Sequence, residues 1–392
     1  LFTAKMKDGT VISLLNGWDK SKLESYIHNE PLFCPVCGSI VLPKLGSCRL
    51  WHFAHAAKKG CLNSIENESY YHMSGKKNLY EWFKRQGYKV EIEVYIPEIK
   101  QRPDLLVYVE NKRYAIEYQC STIDTELLLK RTRCYQKAKI IPLWIVGGNR
   151  LKRNTNHTIT LSSFDLLMAL AIENKDICMI YYCPSTNRFL QASLLVPFST
   201  SKFLAKIHFY KPTQFSFPMM LKSINNINPD YYDDWLFMKE RWRKKSYVYT
   251  SDFYKRLFYE QGVPLCLLPA EAGIPTKSLI WIKTDAILWQ GWIIMNFIVP
   301  IKEGLPFTFH DVYDRFRTEI EKGIFKIRKL PTMEKSHYSF AVMEYLLQLV
   351  KAGLLCKSGN PPVFRKIHAI VLPKNIEEAC DLDREIVNRL KQ

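Results

Sequence analysis

With 392 residues, 47% of them hydrophobic, the chain can bury a large core and is expected to divide into about two or three domains. Its 56 Lys and Arg against 38 Asp and Glu leave a formal charge of +18, which suits a polyanionic partner, nucleic acid or an acidic membrane surface, and also serves as a solubilising coat. The longest apolar stretch, Ile287 to Val299, is too short to cross a bilayer, and Leu1 to Thr10 lacks the apolar core of a secretory signal, so a cytoplasmic protein is expected.

The first residues read as a β-hairpin closing on Asp8-Gly9. Eleven cysteines in such a chain point to thiols and metal ligands rather than a disulfide framework. The segment from Cys34 to Cys61 has Cys34-x2-Cys37-Gly, a tight knuckle, followed by His52-x2-His55. Tetrahedral zinc takes four ligands, and Cys34, Cys37, His52 and His55 can supply them. Cys61 is a fifth candidate, able to displace one histidine, and Cys48 a weaker sixth. Four protein ligands close the coordination sphere, so this zinc is expected to be structural and not catalytic.

A helix then a strand follow. Glu68, His72 and Lys76 form one polar stripe at helical spacing, and Leu79, Trp82 and Phe83 form the apolar one. Gly87 is a helix stop, after which Val90, Ile92, Val94 and Ile96 alternate as a strand. Between Arg102 and Ser121 two alternating strands flank a short turn. A turn at Asn111-Lys112 would set Leu106 opposite Glu117 and Asp104 opposite Gln119. Asp104, Glu117 and Gln119 then share one face, with Leu105, Val107, Ile116 and Tyr118 behind them. Two carboxylates at diagonal positions of a hairpin, ~7 Å apart at the backbone, can reach one hard cation, magnesium or manganese. The competing reading is a solvated strand face that happens to carry two acids.

After that hairpin, Thr125 to Lys139 reads as a helix with Leu127 to Leu129 inside and Lys130, Arg131, Arg133, Lys137 and Lys139 outside, then a strand to Gly148. Lys130 and Arg133 are candidates to bind a phosphate, or else a solvated face. Asn156 to Tyr210 reads as a helix and several strands with a hairpin at Pro184 to Asn187, and Lys211 to Asp230 as a linker. Residues 239–256 interleave cations with aromatic rings, which suits single-stranded DNA through phosphate contacts and base stacking. Arg241, Arg243, Lys244 and Lys245 are the candidates; a basic amphipathic surface with its rings packed inward has the same composition. Beyond residue 306 the pattern is helix, amphipathic helix through Val342, Leu346 and Leu349, and a hairpin at Gly359-Asn360-Pro361, the profile of a winged helix. The domains expected are 1–66, 67–210 and 231–392.

The pattern Asp104-x12-Glu117-x-Gln119 on a hairpin with a helix on either side resembles the PD-(D/E)XK nuclease core, with Gln119 where that superfamily usually has lysine. Together with Glu66 to His72, Glu117 to Ser121 and the Cys/His segment, it resembles the competence protein CoiA family. The resemblance implies an α/β nuclease-like core of helix, three strands, helix and strand, with a small zinc-binding domain before it and a mostly helical one after. By the same resemblance Glu68 is the acid contributed by the first helix, with His72 beside it, although an acid in a helix's first turn is also favoured by the dipole alone. It implies DNA processing during genetic transformation, on single-stranded or branched DNA, with recombination proteins as further partners. Three functional classes follow: a metal-dependent DNA nuclease, a DNA-binding recombination accessory protein whose core has lost turnover, and a transcription factor built on the C-terminal helices. The third leaves the hairpin acids unexplained.

Overall fold

The computed structural model describes residues 1–27, 30–47, 49–56, 61, 69–172, 176–222, 230–328, 330 and 337–391. The N-terminal part is a five-stranded sheet of β1 (Thr3–Lys5), β2 (Val11–Ser13), β3 (Leu32–Phe33), β4 (Ile40–Lys44) and β5 (His52–His55), in the order β2-β1-β3-β4-β5. Helix α1 (Lys20–Ile27) buries Leu23 and Ile27 against it. The expected hairpin is present, with Gly9 at φ 98 in its turn, a conformation that only glycine adopts without steric cost.

Next come α2 (Tyr70–Arg85), β6 (Lys89–Ile92), β7 (Leu105–Val109), β8 (Lys112–Gln119), α3 (Thr125–Lys137) and β9 (Ile140–Gly147), the expected order of helix, three strands, helix and strand. Ser69 caps α2 by accepting the His72 amide at 3.1 Å, and Gly87 at φ 83 follows its end. The helix lays Leu79, Trp82 and Phe83 on one face of the sheet, where Leu105, Val107, Ile116 and Tyr118 meet them. The opposite face, carrying Leu106 and Ala115, is closed by Tyr135 of α3. Pairing is antiparallel from β6 to β8 and parallel from β8 to β9, as a crossover through α3 requires.

Two expectations change here. The hairpin turn is Glu110-Asn111, with Glu110 at φ 51, so Val109 pairs with Lys112 and Leu105 with Ile116. Moving a two-residue turn by one position shifts the register by two, which preserves the faces but sets Asp104 directly across from Glu117 instead of Gln119. The strand expected through Ile96 stops at Ile92, because Glu93 turns to φ 51.

The sheet continues through β10 (Thr158–Thr160), β12 (Ile177–Cys183), β13 (Arg188–Pro197) and β14 (Lys202–Tyr210), giving the order β10-β14-β13-β12-β9-β8-β7-β6. Helix α4 (Ser163–Leu166) and β11 (Leu170–Ala171), which pairs with β12, lie between β10 and β12. The segment read as a linker begins instead as packed structure. Phe215, with Phe217 and Met220 of α5 (Phe217–Met220), is buried in the α2 core, and the Trp82 indole donates to the carbonyls of Pro212 and Phe215.

The C-terminal region is helical: α6 (Asp230–Tyr249), α7 (Asp252–Tyr259), α8 (Ala286–Ile293), α9 (Phe309–Glu321), α10 (Ser339–Lys351) and α11 (Ile376–Lys391). Strands β15 (Pro306–Thr308), β16 (Leu355–Ser358) and β17 (Val363–Lys366) pair in the order β15-β17-β16, which together with α8, α9 and α10 is a winged-helix topology. Among the described residues no helix is long and apolar enough to cross a membrane.

The packing of α2 on β8 is testable at Gly75, where a Cβ would lie 2.0 Å from the ring of Tyr118. That ring is fixed from behind by its hydroxyl, which donates to the Tyr182 carbonyl at 3.0 Å. Gly75→Ala is therefore expected to cost ~1–3 kcal/mol of unfolding free energy, read by denaturant titration, and an unchanged midpoint would show that α2 can shift freely.

Candidate functional site

Asp104 stands just before β7 and Glu117 opposite it on β8, where the two strands open toward α2 and α3. The Tyr118 amide donates to Asp104 Oδ2 at 2.9 Å across the strand pair. His72 Nε2 lies 3.4 Å from that same oxygen, and the Lys76 ammonium 3.5 Å from Oδ1. Both partners come from α2, one turn apart, so helical spacing places them in line over the acid. Burial pushes the Asp104 carboxyl up, but His72, Lys76 and the Tyr118 amide overcome it and hold the group well below the usual carboxylate range.

The partners of Glu117 come from α3. The Arg131 guanidinium donates to both its oxygens, at 2.6 and 2.7 Å, and the Tyr135 hydroxyl donates to Oε1 at 2.5 Å. Burial pushes this carboxyl up to about 7 against the pull of Arg131, and the charge of Asp104 adds to the rise. The two acids are thus separated by their surroundings, one fixed in its charged form and the other titrating near neutrality. Access differs in the same way, with the Asp104 side chain 16% exposed and that of Glu117 3%.

Gln119 is buried two positions along β8, and its amide donates to the Ser121 carbonyl at 2.9 Å. The resemblance to the PD-(D/E)XK core implies lysine at that position; here an ammonium reaches Asp104 from the helix, on Lys76. Lys76 has no exposed side-chain surface and lies 2.5 Å from the carboxylate of the buried Glu93. Glu68 lies outside the described residues.

Of the two basic positions singled out on α3, Lys130 and Arg133 are both exposed, whereas the residue that reaches an acid is Arg131. Sequence reasoning grouped Arg131 with the solvated face. The signal that could have found it is the i, i+4 spacing of Arg131 and Tyr135, two hydrogen-bond donors stacked on one helix face. The basic aromatic run also divides. Arg241, Lys244 and Lys245 are exposed, but Arg243 is buried, with Nε and a terminal nitrogen each 2.7 Å from the Asp383 carboxylate and its other terminal nitrogen on the carbonyls of Cys266 and Leu268. Arg243 is therefore removed from the DNA-contacting set: a buried guanidinium donating to four acceptors has no face left for a phosphate.

The second cluster lies in the N-terminal sheet. One ligand atom from each of Cys34, Cys37, His55 and Cys61 falls within 4.8 Å of the others, a spacing that can hold zinc. The knuckle is closed by the Gly38 amide on the Cys34 carbonyl at 3.0 Å, with Gly38 at φ 70. Burial raises the Cys37 thiol, but hydrogen bonds from Ser39, with contacts to His55 and Cys61, bring it down to about 6. His52 is outside the cluster and Cys61 takes its place. Both histidines sit on β5, and residues three apart on a strand face opposite ways, so His52 turns its Nδ1 to the Leu50 carbonyl at 2.9 Å. Cys48 lies outside the described residues.

Fold and site together define a protein with a nuclease-like domain, carried between a small Cys/His-bearing sheet and a helical region. A family model described as "Competence protein CoiA, nuclease-like domain" matches residues 68–225. Models of the N-terminal and C-terminal domains of the same protein match residues 15–64 and 231–379. Competence protein CoiA of Bacillus subtilis (strain 168) is 32% identical over 339 residues, covering 84% of this chain and 88% of that protein. No solved structure matches the chain. The chain belongs to the competence protein CoiA family.

The ligand set makes its own prediction. Cys61→Ser should lower bound zinc from about one equivalent toward none and destabilise the N-terminal sheet, whereas His52→Ala should keep the metal. Elemental analysis of both purified variants decides, and zinc lost with His52 but kept without Cys61 would reverse the assignment.

Proposed function

We propose that this protein is a divalent-metal-dependent DNA nuclease that processes DNA during competence and transformation. The observation that carries this reading is Asp104 facing Glu117 at the open end of the β7–β8 pair, with the Lys76 ammonium alongside. Two facing carboxylates, with the amide oxygen of Gln119 two residues away, are hard oxygen donors of the kind magnesium and manganese take. Three carboxyl groups, Glu93, Asp104 and Glu117, stand with two basic side chains, Lys76 and Arg131, and because burial raises Glu117 to about 7, the excess of negative charge that would attract a divalent ion is present when Glu117 is ionised. Bound between Asp104 and Glu117, that ion would activate water and neutralise the scissile phosphate.

The chain's own residues divide the remaining work. Lys76 supplies beside Asp104 the positive charge that a neutral Gln119 cannot. Arg131 must release Glu117 before that carboxylate can take a cation, and a freed guanidinium matches a phosphate with two parallel donors. Zinc at Cys34, Cys37, His55 and Cys61 would be structural, since four protein ligands leave no open position. Exposed Lys130, Arg133, Arg241, Lys244 and Lys245 are the proposed contacts to DNA, with single-stranded or branched forms favoured by the rings beside the last three. The Phe237 ring lies 5.6 Å from the Arg241 guanidinium and is itself exposed.

One observation favours a second reading, a DNA-binding recombination accessory protein without turnover. Arg131 already occupies both oxygens of Glu117, which a resting nuclease centre would need to give up. The transcription-factor reading loses support. The second helix of a helix-turn-helix reads the major groove, but here α10 buries Val342, Tyr345 and Leu346, and its Glu344 accepts the amides of Lys277 and Ser278.

Cleavage of labelled single-stranded, duplex and branched DNA, with magnesium, manganese or chelator, separates the two. Asp104→Asn and Glu117→Gln should each lower metal-dependent cleavage by at least roughly 10²-fold while leaving DNA binding intact or slightly tighter, since less negative charge then faces the phosphates. Cleavage at wild-type rates by both variants would place the activity elsewhere. DNA binding with no cleavage under any divalent ion would select the accessory reading.

Combined replacement of Arg241, Lys244 and Lys245 by Ala, with Arg243 left in place, should weaken DNA binding and flatten the slope of log affinity against log salt by about two to three. An unchanged slope would remove α6 from the DNA surface.

A further inference from the structure

We propose that Glu93 is a positioning residue that aims the Lys76 ammonium at Asp104, and that the N-terminal Cys/His-bearing sheet completes the nuclease-like centre by holding the other oxygen of Glu93. The inference rests on the reading of Asp104 as part of that centre.

Glu93 does not continue β6. Its backbone takes φ 51, a region that side-chain-bearing residues occupy at a cost and that persists only where the surroundings enforce it. Three sets of bonds do so. The Glu93 amide donates to the Asp104 carbonyl at 3.0 Å, tying the two residues together through the main chain. Glu93 Oε1 meets the Lys76 ammonium at 2.5 Å. Glu93 Oε2 accepts the amide of Phe2 at 2.7 Å and that of Thr3 at 3.2 Å, with the Thr3 hydroxyl at 3.4 Å. One carboxylate is thus divided between the catalytic-side lysine and the first strand of another sheet.

That first strand is joined to the cluster. Phe2 inserts its ring into the core of the α2 side, 5.5 Å from the Lys76 ammonium, while Ala4 belongs to the core of the N-terminal sheet. The Phe53 amide, two residues before His55, donates to the Leu1 carbonyl at 2.8 Å. The connection therefore runs from His55 through β5 and the Leu1–Thr3 backbone to Glu93, Lys76 and Asp104. The main chain of β5 and of Leu1–Thr3 is tied to its neighbours by hydrogen bonds, and Glu93 to Lys76 by a buried ion pair, so displacing the sheet removes donors from Oε2 and frees Glu93 to move with Lys76. A buried ammonium without a fixed partner has no defined direction, and its 3.5 Å approach to Asp104 would be lost.

The test uses full-length protein carrying ¹⁵N-lysine, with the Lys76 ammonium resonance assigned by its absence in Lys76→Met. Glu93→Gln should shift or broaden that resonance and lower metal-dependent cleavage by roughly 10–100-fold, the usual effect of losing a group that orients a reactive one. In the Lys76→Met background the same change should lower cleavage no further, because Glu93 acts through Lys76. Zinc removal by chelator, read in magnesium-free buffer, should move the same resonance. Glu93→Asp, which keeps the charge but is one methylene too short to bridge both sets of partners, should fall between Gln and wild type; it serves if Glu93→Gln does not fold. A Lys76 resonance unmoved by Glu93→Gln or by zinc removal overturns the proposal, as does an equal loss of cleavage with and without Lys76. If wild type cleaves nothing but the resonance moves as expected, the positioning stands and the nuclease reading falls.

Discussion

Charge removed from water must be met by opposite charge, and around the nuclease-like centre this condition decides where side chains, strands and even the N-terminal sheet can go. The Lys76 ammonium has no exposed surface, so Glu93 must lie against it, and Glu93 reaches that place only by ending β6 early and taking a left-handed backbone. Glu117, equally inaccessible, is met by Arg131 and Tyr135 from the helix on the opposite face. The sheet is thus gripped by ion pairs from both flanking helices at the point where its strands separate. Asp104 lies between the two pairs and retains partial access to solvent.

The same condition organises the C-terminal region. Asp383 of α11 receives Arg243 and Lys239 of α6 with all three side chains buried, a link between two helices far apart in sequence. Burial lowers the Lys239 amine to about 8 despite Asp383, so the pair holds its proton less firmly than a surface lysine does. A run that looks uniformly basic in sequence therefore has two faces. One is consumed in tying helices together, and the other, with Arg241, Lys244 and Lys245, carries the charge that reaches solvent.

What was legible in the sequence was whatever depends on periodicity. The alternation on β7 and β8 assigned Asp104 and Glu117 to one set and Leu105 and Ile116 to the other, and it survived a misplaced turn because a register shift of two preserves faces. The Cys-x2-Cys knuckle was legible because its geometry is local. Features set by tertiary charge pairing were harder to read: Arg131 and Lys130 are neighbours in sequence, and it is Glu117, reached together with Tyr135 one turn on, that sets the guanidinium that turns inward apart from the ammonium that stays in water. That His52 lies outside the Cys/His cluster has a different reason. The x2 spacing brings two histidines to one side on a helix, but on the strand that forms it separates them.

Gln119 becomes intelligible in this setting. A lysine at that buried position would add a third basic side chain beside Lys76 and Arg131, offsetting the negative charge that Glu93, Asp104 and, when ionised, Glu117 provide. With the ammonium supplied from α2 instead, a neutral amide on β8 preserves that charge and satisfies its own donor on the Ser121 carbonyl. Moving the cation from strand to helix has a structural consequence. An ammonium on a flexible four-carbon stem needs a partner to set its direction, and in this chain that partner, Glu93, is held by the backbone of Phe2 and Thr3. The N-terminal sheet, which in sequence looks like a separate module, thereby becomes part of the electrostatics of the centre it precedes.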